Sequence, residues 1–424
     1  MNDVRDDGGE TRLTLPVMLL IIAVLGAAVG LAAAALYLLL DVIQDFMLGG
    51  SESVQNPAGT SEPVRRVISI LVASIIASAI WFVMRRHTHV PSVGKAVKGE
   101  KMPFIATCVH VVLQIVIVGS GLSIGRETAP RELGALFGQR LSTALKLTKQ
   151  DMTTIVAVAA GAGFAGVYDA PLAGMFFAVE MLLADVSIRT VGLAFGTSAV
   201  AAYTAGLIKG HHAFYTIAPV EVTPGLLLAC IILGPVMGAV AYIFRRGTSW
   251  ASKHQTTDQK ILWQLPLAGA LTAAVAFVSP AIMGNGRALA QLSYNATDVS
   301  AIAPLLALAA AKAIITMLTV RSGASGGVLT PAIAVGGALG AVIAILLPAS
   351  LGLNVGVVAL IASAAFLATS QKAPLMAACL MIELSHSPVN ALVVAGIAVA
   401  LSVLVAEKLE TSRINTVISK VIRK

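Results

Sequence analysis

The chain has 424 residues, of which 57% are hydrophobic and only 12% charged, against roughly 25% charged residues in ordinary globular domains. With a mean hydropathy of +0.88, most of it cannot face water, which excludes a soluble enzyme or binding domain. The net charge of +8 does not indicate nucleic acid, because the Lys and Arg residues lie between apolar runs rather than along one polar face. They read as loop charges that set membrane topology.

Uncharged runs near the about 20 residues needed for a crossing occupy positions 16–40, 67–84, 102–125, 191–208, 222–244 and 261–286. They predict an all-α polytopic bundle. Residues 1–14 read as a short cytoplasmic N-terminus. The run that follows lacks a small-residue cleavage site after an acidic leader (Asp3, Asp6, Asp7, Glu10), so it is predicted to be a retained helix. The connection 41–62 is acidic and predicted to lie outside. Segment 85–101 carries Arg85, Arg86, Lys95, Lys98 and Lys101 against Glu100 and is predicted to be cytoplasmic. The tail from Lys408, with Arg413, Lys420, Arg423 and Lys424, has the same character, so both termini are predicted to be cytoplasmic. Cys108, Cys230 and Cys379 are isolated in apolar sequence and read as packing residues; no cofactor motif or metal-ligand spacing accompanies them.

The sequence repeats itself. Residues 170–180 (APLAGMFFAVE) return as 373–383 (APLMAACLMIE), 125–130 (GRETAP) as 326–331 (GGVLTP), and Gly26 and Gly30 as Gly234 and Gly238. These matches predict a first membrane repeat over 15–208 and a second over 222–406. The connection after the first glycine pair is acidic, whereas the one after its counterpart carries Arg245, Arg246, Lys253 and Lys260. Equivalent helices then end on opposite sides, and the repeat is inverted, as in transporters whose substrate sits where discontinuous helices meet.

The uncharged stretch 322–371 is too long and too rich in Gly and Pro to be one helix. Glycines before Val328 and Leu329, with Pro331 in the first turn, predict a helix N-terminus inside the membrane. Backbone N–H groups at that depth must line a cavity or bind something, and the positive end of the helix dipole selects an anion. The counterpart, 119–132, places Glu127 opposite Val328. A carboxylate there can occupy an anion site itself and leave when protonated, which makes Glu127 a candidate gate. The plainer alternative is that Glu127 caps its helix or pairs with Arg126 or Arg131 in a wet loop. Glu180 and Glu383, each ending an apolar run, read equally as interfacial contacts or as functional acids.

At these residues the sequence resembles the CLC family of chloride channels and proton-coupled chloride transporters. The motifs are GRE at 125–127, DAPLAG at 169–174 and SGASGGVLTP at 322–331, in the family's order. The resemblance implies a homodimer in the bilayer, with one anion pathway per subunit built from two inverted halves. It implies that the amides of Val328 and Leu329 hold a central anion, that those around Arg126, Glu127 and Thr128 hold an outer one, and that Glu127 is the gate. Three departures follow. Thr88, in HTHVP at 87–91, stands where the family has a serine loop; Asn415 aligns with the tyrosine that closes the central site; and Met181 replaces the second acid of family antiporters. Met181 favours passive, channel-like chloride conduction, with proton-coupled antiport the alternative, since some members couple without that acid; a fluoride- or nitrate-selective relative is a further alternative. An unrelated inverted-repeat symporter would need embedded acids at its helix breaks, and an enzyme would need a nucleophile or metal cluster. Residues 407–424 are predicted to form a basic helix at the inner surface, without a regulatory soluble domain, and a bacterial inner membrane is the expected location.

Overall fold

The computed structural model describes residues 13–52 and 61–412. They form an all-helical protein. The first half runs α1 (Leu15–Leu48), α2 (Pro63–His87), α3 (Val93–Val97), α4 (Phe104–Gly119), α5 (Thr128–Ala144), α6 (Lys149–Tyr168), α7 (Pro171–Phe176), continued by a π-helix over Phe177–Leu183, and α8 (Ile188–Lys209). The second half runs α9 (Pro224–Lys253), α10 (Ile261–Val278), α11 (Arg287–Tyr294), α12 (Ile302–Arg321), α13 (Leu329–Leu346), α14 (Val355–Gln371), α15 (Pro374–Ser385) and α16 (Ala391–Thr411). Among the described residues, nine helices are long and apolar enough to cross a membrane.

Two of the expected crossings overrun their helices. The run 102–125 ends as a helix at Gly119, where Gly121 takes φ +99°, a conformation open to glycine at little cost. The run 261–286 ends as a helix at Val278, before Ser279–Pro280, because a proline lacks the next amide and disfavours helical backbone in the residue ahead of it. Conversely, α12 did not stand out as an uncharged run because Lys312 lies in its middle. The long stretch 322–371 divides, as expected, into α13 and α14.

The chain forms two compact units, one of Met1–Leu40, Val83–Ile115 and Glu127–His212, the other of Asp41–Phe82, Val116–Arg126 and Ala213–Lys424. In the first, Ile155, Val158, Ala159 and Ala162 of α6 pack with Ile21, Leu25 and Val29 of α1 and Leu193, Ala194 and Ala201 of α8. In the second, α13 is the corresponding buried helix; it and α6 each bury 78% of their most apolar window, against 28–50% for the other spanning helices.

The repeated motifs adopt repeated geometry. α6 and α14 both end on a left-handed residue, Asp169 at φ 54° and Lys372 at φ 56°, followed by Ala170 (−132°, 73°) and Ala373 (−139°, 75°) and then a proline that opens the next helix. The glycine pairs also play one part each. A Cβ on Gly30 would lie 2.5 Å from the Ala201 carbonyl oxygen of α8, and one on Gly238 would lie 2.3 Å from that of Ser402 in α16. Lipid gives helices no hydrophobic reason to associate, so such backbone-to-backbone approach between small residues holds the bundle. The halves differ in one respect. The left-handed Ala184 lies fourteen positions after Ala170, but its counterpart His386 lies thirteen after Ala373. The π-helix takes up the extra residue.

Gly238→Val is expected to cost about 1–3 kcal/mol through overpacking. Gly396→Ala, where an added Cβ meets nothing within 4 Å, is expected to gain up to about 1 kcal/mol from helix propensity. Thermal unfolding of the purified variants in detergent compares them.

Candidate functional site

In the first unit the site begins at the N-terminus of α5. Glu127 is the N-cap residue and is fully buried, yet its side chain makes no capping hydrogen bond. Its burial is at odds with a wet loop, while Arg131 remains within electrostatic reach of it. What anchors this turn is Arg131: its Nε donates to the Glu127 carbonyl oxygen (2.6 Å) and its Nη2 to Thr128 Oγ1 (3.1 Å). The guanidinium lies 4.9 Å from the Phe177 ring centroid and 5.9 Å from that of Phe164, two rings stacked on each other at 5.5 Å. An arginine fixed by aromatic faces keeps its charge in a dry setting. The backbone allows this because α6 presents Gly163 beneath Pro130; a Cβ there would come within 2.1 Å of the Pro130 carbonyl oxygen.

The second unit holds the equivalent helix start. Val328 is the N-cap of α13, and Leu329, its first residue, is buried. The preceding glycine is fixed by a reciprocal pair of hydrogen bonds, Gly125 N to Gly327 O (2.7 Å) and Gly327 N to Gly125 O (2.8 Å). The two loops pair antiparallel. Arg126, also buried, places its guanidinium 5.4 Å from the Phe214 ring centroid; Arg287 lies 4.3 Å from that same centroid and donates to the Phe214 carbonyl oxygen (3.1 Å). Asp41 is within electrostatic reach of both arginines.

Lys312 has no part in the sequence reading, although a lone cation inside an apolar run is itself a functional signal. It is fully buried and donates to the carbonyl oxygens of Ile282 (3.0 Å) and Gly284 (2.7 Å). Gly284 in turn donates to Gly121 O and accepts from Ile124 N. The cation thus fixes the loop that leads to Arg126.

Of the residues expected at the site, Glu127 and Thr128 come together with Arg131 in one unit, and Arg126, Val328 and Leu329 lie in the other. Thr88 is partly buried and closes α2, its amide donating to Met84 O (2.8 Å). Asn415 lies outside the described residues. The acid Glu180 and its neighbour Met181 lie on the π-helix.

Residues 69–407 match the family model described as voltage gated chloride channel. This chain is a member of the CLC family. The ClcB voltage-gated ClC-type chloride channel of Citrobacter koseri is 29% identical over 346 residues, covering 76% of this chain and 79% of the relative; that of Salmonella typhi is 28% identical over 336 residues with the same coverage. Among solved CLC structures, a slow cyanobacterial Cl−/H+ antiporter superposes with a TM-score of 0.79 at 22% identity, covering 97% of this chain and 99% of that one. A CLC-type fluoride/proton antiporter superposes at 0.72 and 21% identity, covering 93% and 97%. The CLC fold is shared throughout, and it makes this an integral membrane protein.

Lys312→Met removes the donor to two buried carbonyls and a buried positive charge. Anion flux in liposomes is expected to fall roughly tenfold, the equivalent of about 1.4 kcal/mol.

Proposed function

We propose that this protein carries chloride, or a monovalent anion of similar size, across the membrane through a pathway gated by Glu127, in exchange for protons. It is a transporter and not an enzyme. One observation carries the reading: a fully buried carboxylate at a membrane-helix N-terminus. Such a group costs several kcal/mol to desolvate unless positive potential offsets it, and here the helix dipole and Arg131 provide that potential. A site built for an anion then holds either the side chain or a diffusing ion, and protonation of the carboxylate decides which. Thr128, Arg126, Val328 and Leu329 contribute the backbone at the two helix starts. A second copy of the chain completes a homodimer, and both termini face the cytoplasm of a bacterial inner membrane.

Exchange is supported by two structures that share this fold, described as a Cl−/H+ antiporter and a fluoride/proton antiporter. The passive reading rests on Met181, whose thioether cannot hold a proton, and on the channel names of the ClcB relatives.

Chloride efflux from liposomes, recorded together with external pH, separates these readings. The wild type is expected to move protons inward as chloride leaves. Glu127→Ala and Glu127→Gln are expected to pass chloride with proton movement at background. Efflux without protons in the wild type would establish the passive pathway, and absence of chloride flux in every variant would overturn the transport reading.

A further inference from the structure

Besides Glu127, one more carboxylate is buried among the described residues of the first unit. Glu132, 5% exposed, lies on α5 five residues beyond the gate. From α4, Gln114 donates through Nε2 to Glu132 Oε2 at 2.7 Å, and His110 brings Nε2 to 3.7 Å from that same oxygen. His110 and Gln114 are four residues apart and so share a face of α4. Both are buried, and Gln114 Oε1 is buried with no hydrogen-bond partner among the described residues. This is a polar pocket in an otherwise apolar wall, with an acceptor to spare for a water or a proton donor.

The charged groups around it form a chain. Arg131, on α5 itself, interacts electrostatically with Glu132, with Glu127 and with Tyr168 of α6. From α2, Arg85 acts on His110. A single guanidinium therefore serves two carboxylates. When Glu127 takes up a proton and loses its charge, Arg131 is left with Glu132 as its anionic partner, which favours release of any proton held there. When Glu127 is ionised, the pull on Glu132 weakens and protonation becomes easier.

We propose that Glu132, positioned by Gln114 and His110, is the proton way-station that position 181 does not supply. The step is a plain proton transfer: Glu132 accepts H+ as a carboxylate, becomes the neutral acid, and returns the proton to water or imidazole on one side or to the gate on the other. No other reactant is consumed. The inference rests on the proton-exchange reading above.

The test is the proton-to-chloride ratio of the reconstituted wild type, Glu132→Gln and Gln114→Met. Glu132→Gln keeps the size and the contact with Gln114 while removing the titratable group. It is expected to pass chloride at a rate within about threefold of wild type, a difference of about 0.65 kcal/mol, while proton movement falls to background. Gln114→Met removes a donor that favours the ionised carboxylate, so the midpoint of pH-dependent coupling is expected to move upward with chloride flux retained. This second variant reports on the site even where the first fails to assemble. A wild type that couples, with Glu132→Gln equally coupled or with no midpoint shift in Gln114→Met, overturns the assignment of Glu132 alone. A wild type that moves no protons overturns the exchange reading and this assignment with it.

Discussion

Backbone groups inside a bilayer have no water to bond, so every place where a helix stops at membrane depth must be closed by the protein itself. Here the closure is a reciprocal pair of hydrogen bonds between Gly125 and Gly327. Around it, Gly284 ties down Gly121 and Ile124, and Lys312 ties down Gly284. Because these loops are sealed in this way, α13 can start at a buried position with its positive end in the interior. The site's electrostatics thus derive from a backbone necessity.

A second constraint is distance. Gly30 on Ala201, Gly163 on Pro130 and Gly238 on Ser402 bring backbone against backbone where any larger residue would collide. Dispersion and carbonyl contacts at that range replace the hydrophobic drive that lipid removes. The same closeness delivers Arg131 to its aromatic cradle, since Phe164 and Phe177 reach it only with α5 seated on α6. Packing and charge placement are therefore one design feature seen twice.

The fold was largely legible because its signals are local. Apolar runs, glycine and proline punctuation, and a repeat carried by short motifs all survive in a single sequence, and they announce the broken helices and the buried helix start at Glu127. What escaped was long-range or masked. α12 went unmarked because Lys312 interrupts its run, although that interruption is the sign of a buried cation. The association of Glu132 with His110 and Gln114 joins two helices and could not be counted out. His110 and Gln114, four residues apart in an apolar helix, were its one visible trace. Thr88 was matched by position, and the structure gives it the end of α2; Asn415 falls outside the described residues.

The π-helix over Phe177–Leu183 bears on how the two repeats of this chain are to be compared. One residue more than α15 holds between equivalent caps has been absorbed without a break. Each residue beyond the point of insertion is turned by about 100° from where a continuous α-helix would carry it. Column-by-column alignment of the two repeats through this stretch consequently pairs side chains that face different neighbours. A constant offset therefore does not carry Met181 onto one position of α15.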